Sequence, residues 1–344
     1  MSKITEKENF MKVINGGTPA WVPRYTFGPD KFATKPHQTT SIRSSILPVT
    51  QLEGGGFVDV FGVEFVPTKE TGGMALPKPG KFIMDDIRNW RDVVKLPDLT
   101  GIDWEAACKK DVESLTENPD EVVVFYGGIS FGMGFFMSLM NMMGFTNGLT
   151  TLYEEPELVM EMFDYMADWY CYGIEHTIDR LPVDIFNVGD DTATATNPFI
   201  SPEMYRELVK PFVTRTAKFA VDRGIPIMMH NCGRCEVSID DWRDFGVTAW
   251  NPAQIVNDLS GIKKKYGNSL VLTGCWDSSG PAGWPHATED VVRTAVRETI
   301  DKYAGGGGFI FLGSAYGPED DEETDDKRRW ITEEYEAYRE KPYK

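Results

Sequence analysis

The chain reads as an α/β protein, a (β/α)8 TIM barrel with an N-terminal helical and hairpin extension. Three observations predict it. From residue 184 onward, short apolar runs of strand length alternate with amphipathic stretches of helix length. Several of those runs end in polar or metal-ligating residues, the pattern of barrel strands at their C-terminal ends. No GxGxxG stands at a first strand–helix turn, so a doubly wound sheet, the alternative architecture, lacks the turn it needs to hold a dinucleotide.

The elements follow in order. Residues 3–15 carry Ile4, Phe10, Val13 and Ile14 among charges, an amphipathic helix stopped by Gly16 and Gly17. Residues 21–28 read as a first strand. Between about 28 and 82 the composition turns to Gly, Pro, Thr and Lys, with β-like pieces at 57–61 and 63–66. So long an irregular region is a lid or an inserted hairpin, which makes residues 1–82 an extension of one domain spanning 1–344. Apolar spacing predicts helices at 85–94, 104–115 and 156–181, with buried strands at 122–126 and 184–188 between them. The alternation then runs helix 201–222, strand 225–230, helix 236–245, strand 247–250, helix 257–266, strand 270–274, helix 288–303, strand 308–312.

Composition narrows the function. With 344 residues the chain can bury a full barrel core, and 41% hydrophobic with 26% charged residues is ordinary for a globular protein. A net charge of −18 argues against nucleic acid or an anionic membrane surface as partner, since both require clustered Lys and Arg. An acidic surface suits solubility, or docking to a complementary protein. The longest apolar patch, 131–145, is cut by Gly132, Gly134, Asn141 and Gly144 and is too short to span a bilayer. The N-terminus carries no signal-peptide pattern, and five cysteines then fit a reducing cytoplasm, where they serve as ligands, nucleophiles or core.

In a barrel the chemistry sits on loops beyond the strand C-termini. The polar residues there are Asp190 and Asp191, His230 with Cys232 and Cys235, Asn251 and Gln254, Cys275 and Asp277, and Ser314 with Tyr316. Imidazole nitrogen with thiolate sulfur suits zinc, and an open fourth position would make the site catalytic. The plainer alternative is that the thiols are small core residues. Asp190 or Asp191 is expected to orient substrate or cofactor, with Tyr316 as a further catalytic candidate; an Asp pair can instead cap a helix, although Asn197 and Ser201 are better placed for that.

With these residues in view the chain resembles the uroporphyrinogen decarboxylase superfamily, and within it the corrinoid-dependent methyltransferases, such as the methyltransferase components of anaerobic aryl-ether O-demethylases. The resemblance runs through Lys7-Glu8-Asn9-Phe10, Gly16, Val22-Pro23, Gly189-Asp190-Asp191, Ile200 to Tyr205 with Pro211, His230-Asn231-Cys232-Gly233, Asn251-Pro252-Ala253-Gln254, and the glycine-rich stretch from Gly305 to Phe311. It implies zinc held by a His-x-Cys, matching His230 and Cys232, together with a later Cys. At the last strand that Cys is missing, and Phe311-Leu312-Gly313-Ser314-Ala315-Tyr316 stands instead. Cys275, one strand earlier, is the expected substitute. Two ligand sets remain open: His230, Cys232 and Cys275, or Cys235 and Cys275 with Glu207.

The resemblance further implies a methyl transfer in which a methoxylated aromatic compound is the donor and the Co(I) corrinoid of a separate corrinoid protein is the acceptor, since this chain shows no corrinoid-binding domain. The run from Phe131 to Phe145 offers polarizable surface for an aromatic ring, with Met133 and Phe135 joining Asn251 and Gln254 as substrate-binding candidates; its plainer reading is a Met-rich core helix. Two alternatives stand beside this one. The first is a methylcobalamin-dependent thiol or folate methyltransferase. The second is a metal-free decarboxylase-like enzyme, disfavoured because the N-terminal segment offers only Arg24 and Arg43 for a substrate with many carboxylates. A homodimer is admitted; the oligomeric state is open.

Overall fold

The computed structural model describes residues 4–28, 30–42, 49–68, 71, 74–115, 118–126, 134–317 and 321–343. Helix α1 (Glu6–Ile14) begins at Thr5, whose hydroxyl accepts from the Glu8 N–H while the Glu8 carboxylate accepts from the Thr5 N–H, a reciprocal cap. Strand β1 (Thr39–Ile42) follows, then four short strands, β2 (Thr50–Gln51), β3 (Phe57–Val58), β4 (Glu64–Pro67) and β5 (Ala75–Pro77). After α2 (Trp90–Val93) and α3 (Trp104–Glu113) come β6 (Val122–Phe125), α4 (Phe135–Met143), α5 (Phe145–Glu154), α6 (Pro156–Thr177) and β7 (Ile185–Gly189). The last part contains α7 (Pro202–Leu208), α8 (Lys210–Val221), β8 (Ile227–His230), α9 (Ile239–Asp244), β9 (Val247–Ala253), α10 (Leu259–Tyr266), β10 (Val271–Gly274), α11 (Glu289–Tyr303), β11 (Phe309–Phe311) and α12 (Glu322–Tyr338).

Seven strands form a parallel sheet in chain order, β1-β6-β7-β8-β9-β10-β11. Because side chains alternate along a strand, this sheet has two apolar faces. One face gathers Val122, Val124, Ile185, Met228, Ala249, Val271 and Ile310 with Phe10, Val13 and Ile14 of α1, which closes the interior at the strand N-termini. The other face, with Phe125, Phe186, Trp250, Leu272 and Phe309, packs against the helices. Burial on both sides explains why these strands are nearly continuous apolar runs.

The expected first strand at 21–28 is reduced to one bridge. The Tyr25 N–H donates to Phe311 O at 2.9 Å and the Phe311 N–H donates to Pro23 O at 2.8 Å. Toward β1 the contacts run instead through side chains, with the Thr26 N–H donating to Thr39 Oγ1 and the Arg24 N–H to Gln38 Oε1. Pro23 has no N–H to extend the ladder. Residues 23–26 thus link the two edges of the curled sheet.

Residues 50–77 form a separate antiparallel sheet, β2-β3-β4-β5, with Phe57 stacked on Phe65 at 4.7 Å. Strand β1, from the stretch whose composition suggested irregular chain, belongs to the main sheet. The expected helix 201–222 breaks at Val209, where Pro211 cannot donate to the preceding turn and starts α8. None of the helices among the described residues is long and apolar enough to cross a membrane.

Candidate active site at the strand C-termini

Alternation along β7 and β8 puts Asn187, Gly189 and Asp191 on the inward side with Ile185, and His230 there with Met228. Gly189 and His230 face each other in register, so the loops after β7 and β8 leave the sheet side by side. Those loops are joined closely. The Cys232 N–H donates to Asp191 Oδ1 at 2.7 Å, Asn231 Nδ2 donates to Thr192 Oγ1 at 2.9 Å, and the Arg234 N–H donates to Thr194 O at 2.7 Å. Gly233 makes this approach possible: its φ is +87°, and a Cβ there would lie 2.5 Å from the carbonyl oxygens of Ala193 and Thr194.

Asp191, His230 and Cys232 result as one group, with a carboxylate oxygen, an imidazole nitrogen and a sulfur all within 4.8 Å of one another. His230 Nε2 is 3.9 Å from Asp191 Oδ1 and 3.9 Å from Cys232 Sγ. Zinc bonds of about 2.0–2.3 Å set tetrahedral donors roughly 3.3–3.7 Å apart, so this trio fits such an ion with little movement. The ring is fixed from behind. Asn251 donates from Nδ2 to Met228 Sδ at 3.2 Å, which turns its Oδ1 to His230 Nδ1 at 2.7 Å. Nδ1–H therefore donates to Asn251, and Nε2 presents its lone pair to the group. Burial, reinforced by the Asp191 charge, pushes the Cys232 thiol above its ordinary range. A cation among these donors reverses that preference and draws out the thiolate. Phe27 stands edge-on to His230 with ring centroids 6.0 Å apart, and at 56% exposure it forms an aromatic lip.

Several expected site residues serve elsewhere. Cys275 would face inward by parity, but its left-handed backbone (φ 57°) breaks the alternation, and its side chain joins the outer core and the cavity between α10 and α11. Cys235 is fully buried and its thiol donates to Asn231 O and Gly233 O. Glu207 is exposed on α7. Among the described residues, none of these three belongs to the donor group, where the atom beside those of His230 and Cys232 comes from Asp191 rather than from Cys275 or Glu207.

Asp190, adjacent to Asp191, points the other way. It is wholly buried and accepts from the N–H groups of Phe136 and Met137 at 2.9 Å each, capping α4 from a distance. Burial pushes its carboxyl up to about 7 against those two bonds. The N-cap position of α4 is Gly134, where a Cβ would meet Gly189 O at 2.3 Å, so no side chain of its own can stand there. Ser201 caps α7, as its spacing suggested. Phe135 packs among Phe163, Tyr170 and Phe212 in the outer core, and most of α4 is likewise core. Met133 and Arg43 lie outside the described residues. Gln254 Oε1 accepts from the Gly233 N–H at 2.7 Å and holds the loop after β8. Asn257, unnoticed in the sequence, does the same work through bonds to the backbone of Cys235, Glu236 and Gly233. Tyr316 is 70% exposed beyond β11.

With this geometry in place, the uroporphyrinogen decarboxylase (URO-D) family model matches residues 74–324, and the chain belongs to that family. Among solved structures it is similar to a methyltransferase from Methanosarcina mazei, 14% identical over 98% of this chain and 99% of that one, with a TM-score of 0.59. At that identity the likeness is one of fold. No curated protein matches the chain.

Proposed function

We propose that the protein is a zinc-dependent methyltransferase that takes the methyl group of an aryl methyl ether and passes it to the Co(I) corrinoid of a separate protein. The observation that carries this reading is the oxygen, nitrogen and sulfur donor group of Asp191, His230 and Cys232 at the inward strand ends. Membership of the URO-D family and the fold shared with a methyltransferase support it. When bound, zinc acts as a Lewis acid toward an ether oxygen, easing departure of a phenolate that is otherwise a poor leaving group. Asp191, His230 and Cys232 would hold the ion, and Asn251 sets the His230 tautomer. Phe27 offers its ring beside the site for an aromatic donor. In such a transfer the methyl–oxygen bond would break with its electron pair staying on oxygen, and the reduced corrinoid would act as the nucleophilic co-substrate that takes up the methyl group. The corrinoid arrives on its partner from the side of the strand C-termini, where Phe27, Trp284 and Tyr316 are exposed.

The test mixes purified zinc-loaded protein, a reduced corrinoid protein and a methoxyphenol. The methyl–cobalt absorbance should rise with release of the free diol. If methyl–cobalt forms only from a folate, or is consumed by a thiol and arises from no ether, the transfer runs the other way.

A further inference from the structure

Between the start of α10, the loop after β10 and the length of α11 lies a cavity of about 570 Å³ that shares no lining residue with the donor group. Ile255 and Val291 at its edge are exposed, so it opens to solvent. Helix α11 gives it one face: Asp290, Thr294 and Glu298 follow at intervals of four residues, with Val291 and Ala295 alongside, the spacing of a single helical stripe. At a rise of 1.5 Å per residue, Asp290 and Glu298 stand about 12 Å apart along the helix. Neither carboxylate has a hydrogen bond or ion pair among the described residues. Asp258 and Asp277 line the cavity from α10 and the loop after β10, and Lys302, beyond Glu298, is the single basic residue among the described residues of its lining.

Two buried groups in the same lining also lack partners. Tyr303 is 5% exposed and Cys275 is 2% exposed, and neither the phenol hydroxyl nor the thiol makes a hydrogen bond among the described residues. An open cavity of this volume with apolar walls and a few unpaired polar groups is the setting in which small molecules bind. Four carboxylates against one ammonium disfavour an anion. A metal ion, bonded at about 2.0–2.6 Å, cannot be shared by carboxylates two helical turns apart. We infer that this cavity is a second ligand site, for a linear aliphatic polyamine: one ammonium pairs with Asp290, another with Glu298, and the methylene chain between them lies along Val291, Ala295 and Leu259. The Tyr303 hydroxyl is an acceptor for the ammonium at the Glu298 end. The net charge of −18 draws such cations to the chain, and the spacing of the two carboxylates selects among them by length.

Titration calorimetry of the full chain at low ionic strength tests this with two probes of equal charge, diaminobutane and diaminooctane, each with its amines at the chain ends. Diaminooctane, long enough to reach from Asp290 to Glu298, should bind once per chain and about tenfold tighter than diaminobutane, which reaches one carboxylate at a time. Asp290→Asn and Glu298→Gln should each weaken diaminooctane about three- to tenfold and bring the two probes close to equal affinity. Tyr303→Phe should weaken it about threefold. Glu113→Gln, which removes the same charge from the exposed surface of α3, should leave both affinities unchanged. Several diamines bound per chain, diaminobutane as tight as diaminooctane, or a loss in Glu113→Gln equal to that in Glu298→Gln would mean that the acidic surface collects cations without a site, and would overturn the inference. So would an unchanged preference for diaminooctane in both Asp290→Asn and Glu298→Gln. The titration needs neither metal nor methyl acceptor, so its outcome is independent of the proposed reaction.

Discussion

His230 Nδ1 lies 2.7 Å from Asn251 Oδ1, and that contact decides which nitrogen of the ring is free for a metal. Asn251 touches none of the other ligand atoms, so it is a positioning residue. Asn251→Ala should weaken zinc binding about 10–100-fold in competition with a chromophoric chelator. Asn251→Asp, which keeps an acceptor oxygen at that place, should recover most of the affinity. Equal losses in both variants would mean that the ring is oriented by something else.

The thiols separate by place. Cys232→Ala, His230→Ala and Asp191→Ala should each yield protein with well under one zinc per chain by elemental analysis. Cys275→Ala and Cys235→Ala should retain zinc and cost stability on the order of 1 kcal/mol, as buried truncations do. Zinc loss in Cys275→Ala would restore the ligand that its outward turn removes.

Zinc binding should release protons. Burial and the Asp191 charge raise the Cys232 thiol above its ordinary value, so near neutral pH it is protonated without metal and must be deprotonated to bind. Calorimetry in buffers of different ionisation enthalpy should report about one proton per zinc from this thiol, and affinity should decrease as pH falls. Buffer-independent heats would show that the thiol takes no part.

Asp190 makes a distinct prediction about stability. Its folded pKa of about 7 stands above its ordinary value, so between roughly pH 4 and pH 7 the folded chain binds the proton more tightly than the unfolded chain. The resulting stabilisation is complete below that window and is lost as pH rises through about 7. Denaturant unfolding of wild type should therefore weaken across the window relative to Asp190→Asn, which cannot titrate. Asp190→Ala, which strips the cap from α4, should be less stable than Asp190→Asn by about 1–2 kcal/mol at any pH, since neither variant titrates there. A wild-type curve parallel to that of Asp190→Asn would refute the shift.

The seven-stranded parallel sheet was legible because strands buried on both faces leave continuous apolar runs, and the runs ending at His230 and Val188 mark the candidate site, whereas the expected first strand at 21–28 forms only a bridge. Parity of adjacent residues was harder to read. Asp190 and Asp191 look alike in sequence, yet alternation sends one to α4 and the other to the donor group with His230 and Cys232. Cys275 misled for the same reason in reverse, since the left-handed turn that takes it out of the interior has no signature in a cysteine. The cap on α4 comes from a residue 53 or more positions away, beyond any local pattern.

The central claim is that the methyl–oxygen bond of an aryl ether breaks at the Asp191, His230 and Cys232 site. One single-turnover measurement tests it most directly: a methoxyphenol labelled with carbon-13 in its methyl group and oxygen-18 in its ether, reacted with zinc-loaded protein and one equivalent of reduced corrinoid protein. The account predicts carbon-13 on cobalt and oxygen-18 retained in the released diol, with both signals lost in Cys232→Ala. Oxygen-18 appearing with the methyl group, or full transfer by Cys232→Ala, would contradict it.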